Sequence, residues 1–107
     1  MISDKMQAAL NEQVNKEFYS AYMYLAMSAY CNGMGLPGFA HWMRAQYEEE
    51  NMHVTKMYDY ILEQGGEVHL KAIEEPPKEY GTPVEIFETT LEHERFVTQS
   101  IHRLMDL

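Results

Sequence analysis

The stretch from Gly65 to Gly81 holds Gly66, Pro76, Pro77 and scattered charges, and it shows no helical spacing of apolar residues. It separates long runs that do show such spacing, and its reach decides how they can pack. Upstream, apolar residues recur every three or four positions from an N-cap at Ser3 or Asp4 to about Asn32, where Gly33 and Gly35 offer a helix end. Pro37, a first-turn proline, opens a second helix that continues to about Gln64 and stops at Gly65-Gly66. The turn between these helices is short, so they pack antiparallel. Downstream, Thr82-Pro83-Val84-Glu85 combines an N-cap hydroxyl, a proline at the first helical position and a capping-box glutamate, which starts a third helix. The second helix is roughly 42 Å long at 1.5 Å per residue, whereas the extended connection spans up to about 55 Å. The connection can therefore travel the whole length of the second helix and start the third parallel to it. Bundles with one long crossover require this; bundles with short loops throughout do not. Within the connection, Val68 to Leu70 is expected to be strand-like.

The chain has 107 residues, expected to form one domain over 1–107, and its 46% hydrophobic content supports a packed core. Arg103-Leu104-Met105-Asp106-Leu107 reads like the middle of a helix. The expected fold is thus an all-α four-helix bundle of which this sequence carries the first three helices, with a fourth missing or supplied by another subunit. Eight Lys and Arg against 17 Asp and Glu leave a net charge of −9. That balance argues against nucleic acid and membrane surfaces as partners and draws cations in. The opening Met1-Ile2-Ser3-Asp4-Lys5 lacks the pattern of a secretion signal, and no apolar run approaches the ~18 residues of a transmembrane helix. The lone Cys31 permits no internal disulfide, so a cytoplasmic protein is expected.

Polar residues interrupt the inward stripes at corresponding depths. The first helix reads Met6, Leu10, Gln13, Glu17, Ser20, Tyr24, Met27, Cys31, and the second Phe39, Met43, Gln46, Glu50, His53, Met57, Tyr60. The third, stepped the same way, reads Val84, Phe87, Leu91, Glu94, Thr98, Ile101, Met105. A single inward glutamate commonly snorkels to the surface, and a lone helical histidine is commonly a hydrogen-bonded core residue. Three inward carboxylates together are another matter. Each ionised carboxylate left unpaired in a core costs several kcal/mol, against a total stability of roughly 5–15 kcal/mol. Few basic residues share these stripes, so a bound cation is the economical compensation. Carboxylate oxygens with one imidazole suit iron or manganese, admit zinc, and suit calcium poorly. Glu17 and Glu50 lie at about the same distance from the shared turn, Glu94 at a comparable level, and Glu50-Asn51-Met52-His53 puts an oxygen and a nitrogen one turn apart on one face.

The runs Leu10-Asn11-Glu12-Gln13, Glu17-Phe18-Tyr19-Ser20-Ala21-Tyr22, Gly38-Phe39-Ala40-His41-Trp42-Met43, Glu48-Glu49-Glu50-Asn51-Met52-His53 and Leu91-Glu92-His93-Glu94 resemble the bacterial non-haem ferritins, over the whole chain. The resemblance implies that Glu17 and His53 hold a first iron, that Glu50 bridges two irons and that Glu94 holds the second. It implies further that Tyr24 lies beside the pair and that Glu49 belongs to a third iron site found in some bacterial members. The family's fourth long helix, which carries further ligands, and its short fifth helix are not in this sequence. Haem-binding relatives place an axial methionine directly after the bridging glutamate, where this chain has Asn51; Met52 is rotated about 100° away, so a haem-free type is expected.

The implied function is iron storage with ferroxidase chemistry. Fe(II) is oxidised at a non-haem diiron site by dioxygen or peroxide, and Fe(III) is stored in a homo-oligomeric shell. The rival is a non-catalytic, truncated ferritin-like helical assembly module. His41, His69, His93 and His102 receive no role, Cys31 is read as a small apolar filler, and Phe18, Tyr22 and Leu25 form a second apolar face expected to be a subunit contact.

Overall fold

A computed structural model describes residues 1–106. Three helices follow one another: α1 (Asp4–Gly33), α2 (Pro37–Glu63) and α3 (Pro83–Met105). Each starts and stops for a local reason. Ser3 caps α1 by accepting from the Met6 amide at 3.1 Å. Gly35 takes φ +72°, the left-handed conformation that lets the chain turn back sharply, and the Leu36 amide closes the turn on the Cys31 carbonyl at 2.9 Å. Pro37 then occupies the start of α2. Thr82 and Glu85 form a complete capping box at the start of α3. The third helix ends at Met105, with Asp106 as its C-cap; the expectation that it runs to Leu107 lies outside the described residues.

Residues 65–82 run the length of the bundle, as their reach allows. The connection leaves beside the N-terminus of α1, where the Asn11 side chain accepts from the His69 amide at 2.7 Å and donates to the Glu67 carbonyl at 2.9 Å. Gln7 takes the Glu67 amide at 3.0 Å. The far end of the connection packs Tyr80 against Tyr30, whose hydroxyl donates to the Gly81 carbonyl at 2.8 Å. Helix α3 therefore runs parallel to α2 and antiparallel to α1. The expected strand at Val68 to Leu70 is absent, and no strand occurs among the described residues. This segment has no neighbouring backbone to pair with, so the amide side chains of Gln7 and Asn11 satisfy it instead.

The bundle measures 49 × 21 × 20 Å. One apolar cluster, with Met23, Tyr24, Met27, Cys31, Met43 and Ile86, fills the end near the α1–α2 turn. A second, with Leu10, Val14, Val54 and Ile61, fills the other end. Between them lies a buried polar layer containing Gln13, Glu17, Ser20, Glu50 and Thr90. The α1 stripe read from the sequence is buried from Leu10 to Cys31. That of α2 drifts by one position toward its end, where Val54 and Ile61 are buried and Tyr60 is exposed. On α3 the buried residues are Ile86, Thr90, Val97 and Ser100, one position from the expected stripe. Phe87, Leu91 and Met105, expected inside, are 52%, 44% and 76% exposed, and Val84 is exposed as well. The reason is that α3 carries apolar residues on two adjacent stripes: one meets α1, and the other, continued by Trp42 of α2 stacked on Phe87, forms an open apolar face.

Candidate metal centre

Glu17 reaches the polar layer from the middle of α1 and is fully buried. Gln13, one turn earlier, donates from Nε2 to Glu17 Oε1 at 3.2 Å. Glu50 arrives from α2, also buried, and His53 follows one turn later with its side chain 42% exposed and Nδ1 3.7 Å from Glu50 Oε2. Glu17, Glu50 and His53 each offer a ligand atom within 4.8 Å of the others'. A hydrogen bond joins Glu17 Oε1 to Gln13, but Glu17 Oε2 and Glu50 Oε2 are buried with no hydrogen-bond partner among the described residues. Such orphaned acceptors are rare in folded proteins, and a proton shared between the carboxyls or a bound cation would satisfy them.

The electrostatics point the same way. Burial holds the Glu50 carboxyl well above the ordinary carboxylate range, helped by the hydrogen-bonding approach of Glu17 and by the negative charges of Glu17, Glu94 and Glu49. Of the basic residues near in sequence, Lys16 lies over the Phe96 ring at 5.8 Å, Arg44 pairs with Glu48 at 3.8 Å, and Lys56 and Arg95 are exposed. A divalent cation would complete the orphaned oxygens and neutralise the layer at once.

Glu94 stands on α3, half-buried, outside the close three-residue group. The fully buried Tyr24 links it to the layer by donating its hydroxyl to Glu94 Oε1. Burial first, then Glu94 itself, raises the Tyr24 pKa far above that of a free tyrosine, so the phenol keeps its proton. Glu49 is exposed and lies outside the close group, although its charge is felt at Glu50. Asn51 is half-buried and Met52 is exposed. His93, given no role from the sequence, is half-buried against Tyr24, the ring centroids 5.8 Å apart and perpendicular. It does carry a sequence signal: Ile86, Thr90, His93, Val97 and Ser100 step by alternate fours and threes along the face that meets α1.

Comparison with known proteins gives a consistent picture. The profile of the ferritin-like domain matches residues 7–107. A bacterial non-heme ferritin of Bacteroides fragilis is 45% identical over all of this chain and 67% of its own length. One from Staphylococcus epidermidis is 41% identical, again over the whole chain, with 64% of its own length covered. A crystal structure of an open-pore ferritin from Archaeoglobus fulgidus superposes with a TM-score of 0.96 at 52% identity, over 99% of this chain and 65% of that one. The chain thus spans about two thirds of the length of the relatives it matches. With its three-helix all-α architecture and a family match over residues 7–107, the chain belongs to the ferritin-like domain family.

Proposed function

We propose that the protein stores iron and oxidises Fe(II) at the carboxylate layer. The observation that carries this reading is the pair of orphaned oxygens, Glu17 Oε2 and Glu50 Oε2, buried within reach of His53. Two carboxylates and one imidazole form a donor set suited to Fe(II), here the substrate. Glu17 and His53 take one ion; Glu50 is shared between it and a second, which Glu94 approaches from α3. Bringing two ions side by side gives dioxygen or peroxide, as oxidant, two one-electron donors at one place. Tyr24 holds Glu94 in place, and its retained proton makes it a hydrogen-bond donor there. Glu49, at the surface, fits a neighbouring third ion. Storage in a cytoplasmic homo-oligomeric shell completes the reading, with the exposed face of Phe87 and Leu91 as a surface to be covered by further protein.

Stopped-flow absorbance under air tests the assignment. Glu50→Ala, which removes the shared ligand, should abolish rapid Fe(II) oxidation with helix content retained. Oxidation at the parent rate would remove the diiron reading. The non-catalytic alternative, an assembly module, draws on the open side of the layer at His53 and Glu94, and it expects no fast oxidation by the parent chain either.

A further inference from the structure

On the outer side of the carboxylate layer, His93 packs between two rings: Tyr24 edge-on at 5.8 Å and Phe96 tilted at 6.4 Å. Its anchoring can be read from the hydrogen count. Ser20 has a single hydroxyl hydrogen, which goes to the Lys16 carbonyl one turn back at 3.0 Å. With that hydrogen on the Lys16 carbonyl, the 2.7 Å contact between Ser20 Oγ and His93 Nε2 has the imidazole as donor. The Ser20 bond fixes the imidazole plane, and that plane meets the Tyr24 ring at 89°. Tyr24 is buried in the apolar cluster near the turn, so its ring is confined by the cluster on one side and by imidazole on the other. Its hydroxyl reaches Glu94 from that one position.

We propose that His93, anchored through Ser20, is a positioning residue that holds the Tyr24 hydroxyl on Glu94. This rests on the reading of Glu94 as a ligand of the second iron. It makes Ser20, His93, Tyr24 and Glu94 a chain from α1 to α3 that sets which Glu94 oxygen is occupied by a donor and which is left for the metal. Without the imidazole, the Tyr24 ring gains room to turn and Glu94 loses its fixed orientation.

The test needs no metal at its first stage. In the metal-free chain, proton NMR should show one slowly exchanging hydroxyl resonance that Tyr24→Phe deletes. His93→Ala should speed its exchange with water by about tenfold or more, the loss expected for one hydrogen bond to a charged group, while the amides of α1 and α3 keep their protection. Ser20→Ala, which removes only the anchor, should shift the exchange in the same direction. His93→Phe, which restores a ring between Tyr24 and Phe96 but not the bond to Ser20, should return only part of the protection. Parent-like exchange in both His93→Ala and Ser20→Ala would overturn the proposal. At the second stage, His93→Ala should slow Fe(II) oxidation about tenfold in the parent and cause no further loss in a Tyr24→Phe chain. Equal losses in both backgrounds would also overturn it. A parent chain that fails to oxidise Fe(II) would defeat the functional reading instead, and the hydroxyl exchange would still decide the role of His93.

Discussion

Glu50→Gln keeps the side chain's shape but cannot ionise, so it separates what the carboxyl costs the fold from what it does for a metal. In the metal-free chain the side chain of Glu50 is only 5% exposed, and its Oε2 has no partner among the described residues. Replacing a carboxyl that must take up a proton to be buried with a neutral isostere should stabilise the metal-free fold near pH 7.5 by about 2 kcal/mol. For a domain of this size that raises Tm by roughly 8–16 °C. The pH dependence has a defined sign. The Glu50 pKa is raised in the folded chain above its ordinary 4.5, so the folded state holds a proton that the unfolded state releases. Its stabilising effect is complete below pH 4.5 and is lost as pH rises above that value. The parent should therefore lose stability between pH 5 and 8, and Glu50→Gln should lose less. Divalent metal should reverse the ranking, because a ligand at a hundred times its Kd adds about 2.7 kcal/mol to the parent and little to the variant. Thermal unfolding followed by circular dichroism, with chelator or with Co(II), measures all of this. A Glu50→Gln chain less stable than the parent at pH 7.5 in chelator, or one with the parent's pH slope, would refute the reasoning.

Other parts of the structure make separate claims. Asn11→Ala cuts two of the bonds that tie the crossover to α1, and should cost about 2 kcal/mol in urea unfolding and expose residues near Glu67 to proteolysis. Thr82→Ala breaks the capping box of α3 and should cost about 1 kcal/mol, read as a lower Tm. The open face around Trp42, Phe87 and Leu91 should drive self-association, so light scattering at micromolar concentration should report a dimer or larger, and Phe87→Ser with Leu91→Ser should shift the chain toward monomer. Anaerobic Fe(II) titration should find one tighter site per chain, at Glu17, Glu50 and His53, and a weaker one on the Glu94 side.

Much of this architecture is legible in the residues because local and long-range signals agree. The capping box at Thr82 and the prolines and glycines at the helix ends mark boundaries by their own chemistry. The reach of the Gly65–Gly81 connection then permits α3 to start at the far end of the bundle, parallel to α2. The α1 stripe reads correctly through Glu17 because its inward face is unbroken from Leu10 to Cys31. Periodicity alone is ambiguous on α3, where Ile86 and Val97 lie beside Phe87 and Leu91 and both stripes repeat at helical spacing. Only the contact with α1 decides between them. That one-position shift also explains why helical spacing passes over His93 and puts Glu94 on the inward stripe: His93 lies on the face that meets α1, and Glu94 lies at its margin, reached by Tyr24. The strand-like reading of Val68 to Leu70 fails for a different reason, since β-propensity without a partner strand leaves an extended segment that side-chain amides can satisfy.

The most direct measurement is a crystal structure of the chain loaded anaerobically with Fe(II), with anomalous scattering recorded at the iron edge. An iron peak bonded to Glu17 Oε2, to Glu50 and to His53 is expected, with Glu50 turned so that its second oxygen meets a further ion on the Glu94 side. Iron bound only at exposed carboxylates such as Glu48 or Glu67, with Glu17 and Glu50 left unligated, would contradict it.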